Sequence, residues 1–340
     1  MAADLSPAIP GTAGNAAPIL APILVADIGG TNARFGLIDG RIVRDTRVLR
    51  CADYASIEDA ATAYLTAVGL AAVGTPGRPR RGAFAVAGPV TGDRIAMTNL
   101  VWQFSVNRVR DALGLDGLVV INDFTAVALS VPRLAEEDRR QIGEGAPQAG
   151  AVVGVLGPGS GLGVSGLVPG ANNRWTALSG EGGHVTMAPI SDRESAVLGQ
   201  LRKGFEHVSA ERVLSGPGLV NLYGALSILD GREPPALTPA QVADNALNGS
   251  EAHCVEAVEM FCAMLGTVAG NLALTLGARG GIYIAGGIVP KLGTLFTHSR
   301  FRKRFMEKGR MRDFLAPIPT YVITHELPAF LGLAEAAGAE

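Results

Sequence analysis

The sequence predicts an α/β protein of two domains. Its 340 residues are enough for about two domains, each with a substantial core. Two similar units, at residues 24–38 and 152–168, each consist of an apolar run, a glycine-rich turn and a second strand-like run. Apolar runs also alternate with helical patterns, as in a partly parallel sheet covered by helices.

In the first domain, strands are expected at residues 23–28, 82–87 and 118–121, and helices at residues 56–68 and 106–113. A further helix is expected after Asp123, ending at Pro132, and we place the crossover between domains there.

The second domain is expected to contain three longer helices. The predicted helices are residues 191–203, 210–229 and 252–276, with a proline-rich turn at 233–239. A strand is expected at residues 280–286, followed by a strand at 320–324 and a helix at 328–337.

The first glycine-rich turn has the composition of a phosphate-binding loop. Gly29 and Gly30 let the backbone approach an anion closely, and Thr31 and Asn32 add short hydrogen-bonding side chains. Asp27 ends the preceding strand and offers a carboxylate to a metal ion. The alternative is an ordinary hairpin with a Gly-Gly turn.

The second turn makes the phosphate interpretation stronger, because it repeats the pattern in VVGVLGPGSGLGVSGLV, with a hydroxyl at Ser160. Two such turns predict two related domains that each bring a loop to one polyphosphate. Neither turn is a Walker A motif, since no Gly-Lys-Ser/Thr follows.

Asp123 is the candidate general base. It follows the apolar run LVVI and precedes a helix, so its carboxylate is expected at the carboxyl end of a strand, where open α/β sheets bind ligands. The alternative is a helix N-cap, a position that favours Asp.

Charge and cysteine content exclude several classes of protein. The net charge is −2, and the one basic cluster, at residues 300–312, is interpreted as the solvated face of one helix rather than a nucleic-acid site. Three widely spaced cysteines predict a reducing compartment without disulfides or a zinc site. Residues 1–21, rich in Ala, Pro and Gly, are expected to form a disordered tail, and no membrane span is expected.

Five motifs occur in the order typical of bacterial glucokinases. They are DIGGTNARFGL, INDF, GEGGH, HVSAERVLSGPGLVNLY and AGGIVP. The chain therefore resembles the glucokinase family without the cysteine-rich zinc motif. The resemblance implies the two-domain actin-like ATPase (ribonuclease H-like) fold, with a cleft between the domains. It also implies a small domain of residues 22–132 plus 323–340 and a large domain of residues 133–322. Residues 320–324 and 328–337 resemble the family's return segment, which packs back on the first domain.

In that family, Asp123 would accept the proton of the glucose 6-hydroxyl as that oxygen attacks the γ-phosphorus of ATP. The sugar hydroxyls would be bound by Asn122, Asp123, Glu181, His184 and Glu211. Taken alone, His184 is a common structural histidine and Glu211 an ordinary exposed helix residue. Asn99 would shape the same cleft or simply form a turn.

Mg-ATP would be held by both turns. The residues implied are Ala26, Asp27, Ile28, Gly29, Gly30, Thr31, Asn32, Gly157, Gly159, Ser160, Gly161, Gly286 and Gly287. Asp27 would assist Mg²⁺, directly or through water. Close packing explains Gly286 and Gly287 as well as adenosine binding does.

The resemblance implies a cytoplasmic homodimer that binds glucose and ATP and neither nucleic acid nor membrane. The alternatives are a kinase for another hexose, a non-catalytic sugar sensor on the same fold and, from glycine loops alone, a nicotinamide-dependent dehydrogenase. Polyphosphate or ADP as phosphoryl donor also stays open.

Overall fold

The computed structural model describes residues 21–97, 100, 102–171 and 174–338. The predicted tail, apart from Ala21, and Asn99 lie outside the described residues.

The first half of the chain forms a five-stranded sheet and a small hairpin. The strands are β1 (Ile23–Ile28), β2 (Asn32–Asp39), β3 (Ile42–Arg50), β4 (Arg81–Val86), β5 (Arg94–Ala96), β6 (Gln103–Ser105) and β7 (Gly117–Asn122). The sheet has the order β3-β2-β1-β4-β7, and β5 pairs only with β6. Strand β2 runs antiparallel to both β1 and β3, whereas β4 and β7 run parallel to β1.

The second sheet repeats this pattern. Its strands are β8 (Arg139–Ile142), β9 (Val153–Pro158), β10 (Leu162–Pro169), β11 (Trp175–Gly180), β12 (Ile282–Ile284) and β13 (Thr320–Ile323). They lie in the order β11-β10-β9-β12-β13-β8. Strands β9 to β11 are antiparallel, β12 and β13 are parallel to β9, and the additional strand β8 is antiparallel to β13. In each sheet a glycine-rich turn therefore follows the strand that joins the antiparallel part to the parallel part.

Eleven α-helices are described around these sheets. They are α1 (Ile57–Ala67), α2 (Val106–Ala112), α3 (Asp123–Ser130), α4 (Asp192–Leu201), α5 (Gly216–Leu229), α6 (Pro239–Asn248), α7 (Ala252–Leu276), α8 (Ile288–His298), α9 (Phe301–Met306), α10 (Arg312–Leu315) and α11 (Pro328–Ala336). The α/β class is confirmed.

Helices α3 and α11 lie between the two sheets. One buried cluster joins Val25 and Ala85 of the first sheet, Val155 and Tyr283 of the second sheet, and both helices. The helices approach closely, because a Cβ at Gly332 of α11 would overlap the backbone carbonyl of Ala126 in α3. Separate cores cover the outer face of each sheet.

The helix predicted over residues 210–229 is wrong at its beginning. Ala210–Arg212 forms a 3₁₀ turn, and the chain is extended at Ser215, whose side chain accepts a hydrogen bond from the Gly218 amide and caps α5. Serine followed by Gly-Pro starts a helix here, because the hydroxyl satisfies a free amide and proline has no amide hydrogen to satisfy.

The prediction of one solvated basic helix at residues 300–312 is also wrong. The segment consists of α9, a 3₁₀ turn and α10. Arg304 is 2% exposed and paired with Glu194 of α4, and Arg302 donates hydrogen bonds to three backbone carbonyls. These arginines therefore hold the second core together.

Residues 320–323 do not pack back on the first sheet, contrary to expectation. They form β13, which pairs with β12 and β8 in the second sheet, so only α11 returns to the first.

Helix α7 is long and apolar enough to span a membrane, but most of it is buried in the second core. Its apolar character is therefore explained by packing within the protein. The three cysteines, Cys51, Cys254 and Cys262, are buried and free.

Candidate active site

The first glycine-rich turn joins β1 to β2 and lines an open cavity of about 260 Å³. The Gly29 amide donates to the Asn32 carbonyl over 3.0 Å, which closes the turn. The cavity is lined by Asp27, Gly29, Gly30, Thr31, Asn32 and Arg34. The other two predicted residues, Ala26 and Ile28, are wholly buried in the core beneath it.

Two residues that were not among the predicted site residues support this turn. Arg34 lies at the cavity, with its Nη1 3.4 Å from Oδ2 of Asp27. Burial raises the pKa of the Asp27 carboxyl above its usual value, and the Arg34 charge opposes the rise. Cys51 lies behind the turn, where its amide donates to the Thr31 carbonyl over 2.9 Å and its Sγ is 3.6 Å from the Gly29 carbonyl.

The second glycine-rich turn joins β9 to β10. The Gly159 amide donates to the Gly161 carbonyl over 2.8 Å, and the Gly159 carbonyl accepts from the Gly216 amide at the start of α5. Gly286 lies directly against this turn, since its φ is +84° and an added Cβ would overlap the Pro158 carbonyl. The predicted adenosine glycine and the second turn are thus neighbours.

Asp123 lies where β7 gives way to α3. Its neighbour Asn122 is the N-cap, because Oδ1 of Asn122 accepts from the amides of Phe124 and Thr125 over 2.9 and 3.0 Å. Oδ1 of Asp123 accepts from the Phe124 amide and from Nδ2 of Asn122. Among the described residues, Oδ2 of Asp123 has no hydrogen-bond donor, so it is available to a ligand.

The pKa of the Asp123 carboxyl is shifted toward neutral pH. Burial raises its pKa to about 6, against the lowering effect of the Phe124 amide, and the negative charges of Asp27 and Glu181 add to the rise. Asp27 of the first turn and Glu181, which follows β11, are therefore near enough to Asp123 to affect its charge. A carboxylate with such a pKa can accept a proton near pH 7.

Phe124 connects this residue to the second turn. Its ring packs on the strands flanking the turn, where an added Cβ on Gly157 or Gly163 would collide with it. Asp123 therefore lies at the start of a helix that packs against the second turn, at the edge of the first sheet where β1 also ends.

Three of the predicted sugar ligands lie on neighbouring segments of the second half. Glu181 and His184 are mostly exposed, with Oε2 and Nε2 4.0 Å apart. Backbone hydrogen bonds from Ala210 to Val185 and from Met187 to Val208 join their segment to that of Glu211. Oε2 of Glu211 accepts from the Leu162 amide over 2.8 Å, so this carboxylate lies against the second turn.

The metal-ligating side chains near the first turn suit a magnesium ion that binds together with the nucleotide. Among the described residues, no group of three or more His, Cys, Asp or Glu side chains is placed to hold a metal. Mg²⁺ in kinases is commonly bound through one or two carboxylates together with substrate phosphates and water. The single carboxylate of Asp27 at the first turn fits that pattern.

Comparison with known proteins gives one consistent answer. The family model described as Glucokinase matches residues 24–340. A glucokinase of Paramagnetospirillum magneticum is 55% identical over 92% of this chain and 96% of its own, and one of Nitrobacter hamburgensis is 51% identical over 92% and 95%. The crystal structure of a glucokinase from an Antarctic psychrotroph is 37% identical, with a TM-score of 0.84 over 94% of this chain and 99% of its own.

These matches confirm the predicted two-domain actin-like ATPase fold. They also exclude a dehydrogenase, since shared sequence extends over nearly the whole chain. The chain belongs to the glucokinase family, whose members are enzymes that phosphorylate glucose with ATP.

Proposed function

We propose that this chain transfers the γ-phosphoryl group of ATP to the 6-hydroxyl of glucose, giving glucose 6-phosphate and ADP, with Asp123 as general base. The observation that carries the proposal is the position of Asp123. It is a half-buried carboxylate with a pKa of about 6. It lies at the edge of the first sheet where β1 also ends, on a helix that packs against the second glycine-rich turn through Phe124. One oxygen is fixed by the backbone and the other is available to a sugar hydroxyl.

In this mechanism, Asp123 accepts the 6-hydroxyl proton as the sugar oxygen bonds to the γ-phosphorus and the bond to ADP breaks. Such transfers need little covalent work from the protein, so orientation of the reactants and neutralisation of charge dominate. Asn122 positions Asp123 by capping α3 and by donating a 3.0 Å hydrogen bond to Oδ1 of Asp123.

The remaining sugar hydroxyls are assigned to Glu181, His184 and Glu211. Their carboxylate and imidazole groups would be left unpaired by a sugar of the wrong configuration, which favours glucose. Exposure of Glu181 and His184 supports this role, because both are open to solvent in the absence of sugar.

The phosphates of ATP are assigned to both turns. The backbone amides of Gly30 and Gly161 and the hydroxyls of Thr31 and Ser160 would donate to them, while Gly29, Gly157 and Gly159 would let the backbone approach closely. Asp27 would hold Mg²⁺, which supplies positive charge to the phosphates, and the Arg34 guanidinium adds charge at the same cavity. The adenosine is assigned to Gly286 and Gly287.

We propose a small domain of residues 22–132 and 323–340 and a large domain of residues 133–322. The two chain crossings meet at Asp138, whose carbonyl accepts from the Thr324 amide over 2.8 Å.

Three buried free thiols support a cytoplasmic location, and the homodimer rests on the family resemblance alone.

The test is a coupled assay of the purified protein with several hexoses and donors. Glucose with ATP and Mg²⁺ should give the highest kcat/KM. Preference of tenfold or more for another hexose, or for ADP or polyphosphate as donor, would overturn the assignment. Binding of glucose without turnover would identify a sugar sensor instead.

A further inference from the structure

A single pair of hydroxyl groups joins the helix of the general base to the strand that leads to the sugar-binding segment. Oγ1 of Thr125, in the first turn of α3, lies 3.1 Å from Oγ of Ser179, in β11. Thr125 belongs to the proposed small domain and Ser179 to the large one. The contact therefore crosses between the domains.

Both residues are two positions from a group that the proposed mechanism uses. Thr125 follows Asp123, and its amide is capped by Asn122. Ser179 precedes Glu181, which is connected to β10 by a bridge to Val164. Thr125 is 7% exposed, whereas Ser179 is exposed.

We infer that the Thr125–Ser179 hydrogen bond is a positioning contact that sets the placement of Glu181 relative to Asp123 when glucose binds. The inference rests on the proposed function of these two carboxylates. Neither hydroxyl touches the reacting atoms. They act by fixing β11 against the first turn of α3.

The geometry gives a reason for this role. Phe124 already fixes α3 to β9 and β10, on which the second glycine-rich turn is built. Thr125 adds a directional contact to β11, which is bound to β10 and continues into Glu181. A packed ring restrains distance, whereas a hydrogen bond also restrains orientation. Loss of the hydrogen bond should therefore affect sugar binding more than ATP binding.

The test uses Thr125→Val, which keeps the shape and removes the hydroxyl, together with Ser179→Ala and the double variant. Each single variant should raise KM for glucose about threefold to tenfold, the range of one net hydrogen bond. KM for ATP should change less than about twofold. The double variant should be no worse than the worse single one, because both lose the same contact. Thr125→Ser, which retains the hydroxyl, should restore glucose KM.

Thr320→Val is the matched control, since Oγ1 of Thr320 bonds the Ile142 carbonyl wholly within the second sheet. It should lower the melting temperature without changing glucose KM.

Additive effects in the double variant, an equal rise in KM for ATP, or an unchanged glucose KM would overturn the inference. Ser179→Ala changes an exposed side chain and provides the test if Thr125→Val fails to fold. Failure of the proposed function itself would appear separately, as absence of glucose turnover in the unaltered protein.

Discussion

Asp123 shows how one half-buried side chain acquires its chemistry from its surroundings. The end of β7 and the start of α3 fix its backbone, and Asn122 takes the capping role that the sequence also allowed for Asp123. Because Asp123 is not the cap, its carboxyl group is not used to begin the helix. Burial raises its pKa, and the negative charges of Asp27 and Glu181 add to that rise. The same environment makes the group a better proton acceptor near neutral pH.

The pH dependence of activity follows from that pKa of about 6. Because only the deprotonated carboxylate accepts a proton, kcat/KM for glucose should rise as pH increases through about 6 and then level off. Below that point it should fall about tenfold for each pH unit. Initial rates from pH 5 to 8 at saturating ATP would measure this, and a flat profile over that range would contradict the role of Asp123.

A second residue-scale prediction concerns Arg304. Its Nη1 and Nη2 contact the two carboxylate oxygens of Glu194 at 2.6 and 3.2 Å, and both side chains are almost fully buried. Burial raises the pKa of Glu194. The hydrogen bonds and charge of Arg304, together with two backbone amides, lower that pKa by more than burial raises it, so the net shift is downward.

Arg304→Met should therefore destabilise the protein by about 3–5 kcal/mol, because it leaves a buried carboxylate without its cation. Lys303→Met, in the same helix but largely exposed, should change stability by less than about 1 kcal/mol. Urea denaturation would measure both, and equal effects would show that the Arg304 pair is not structurally important.

At the scale of elements, the backbone of Gly286 lies close to the backbone of the second turn, on the proposed nucleotide side of the cleft. Gly286 follows β12 with φ +84°, and its α-carbon faces the carbonyl of Pro158 in the second turn. A side chain is disfavoured both by this φ and by the overlap.

Gly286→Ala should displace the second turn and raise KM for ATP tenfold or more, leaving glucose binding within about twofold. Gly224→Ala is a suitable control, because an added Cβ in α5 meets nothing within 4 Å and alanine favours a helix. Steady-state kinetics and glucose calorimetry would test the pair. Unchanged KM for ATP in Gly286→Ala would show that the close approach does not shape the nucleotide site.

Elements with strong local signals were predictable from the sequence. Helix α7 has the predicted bounds, because its 25 residues form an unbroken apolar pattern and Gly277 ends it in the left-handed conformation. Helix α6 was not predicted, although its signals were present. Thr238 and Gln241 form a capping box, and Gly249 ends the helix.

The site was predictable only where its residues are close in sequence. The two turns and Asp123 stand out because each carries its own glycine or strand-end signal. By contrast, Phe124 against Gly163, Cys51 behind Gly29 and Arg304 beside Glu194 join distant parts of the chain. Such contacts depend on tertiary packing, which a local pattern does not contain.

At the scale of the whole molecule, two sheets of the same topology enclose α3 and α11. In each sheet a glycine-rich turn joins an antiparallel pair of strands, β1–β2 in the first sheet and β9–β10 in the second. We propose that this repeated arrangement brings both turns to one cleft. The Thr324 amide donates to the Asp138 carbonyl close to both proposed chain crossings, and this hydrogen bond supports a common pivot for the two proposed domains. Arg41 of the first part pairs with Asp138 over 3.1 Å at the same place.

Closure about that pivot should make phosphoryl transfer depend on sugar. Water is always available to attack ATP, so an open cleft should hydrolyse ATP slowly until glucose completes the site. ATP hydrolysis without glucose should be at least about a hundredfold slower than glucose phosphorylation. Glucose should also lower the radius of gyration measured by small-angle X-ray scattering. Equal ATP turnover with and without sugar, and an unchanged radius, would exclude this coupling.

The most direct test of the central claim compares Asp123→Asn with the unaltered protein in glucose binding and in turnover. Asparagine keeps the size of the side chain and a hydrogen-bonding oxygen but cannot accept the hydroxyl proton. Calorimetry should show glucose binding within about tenfold of the unaltered protein, while kcat falls by about 10²–10⁴. Turnover within about tenfold of the unaltered protein would contradict the assignment of Asp123 as the base.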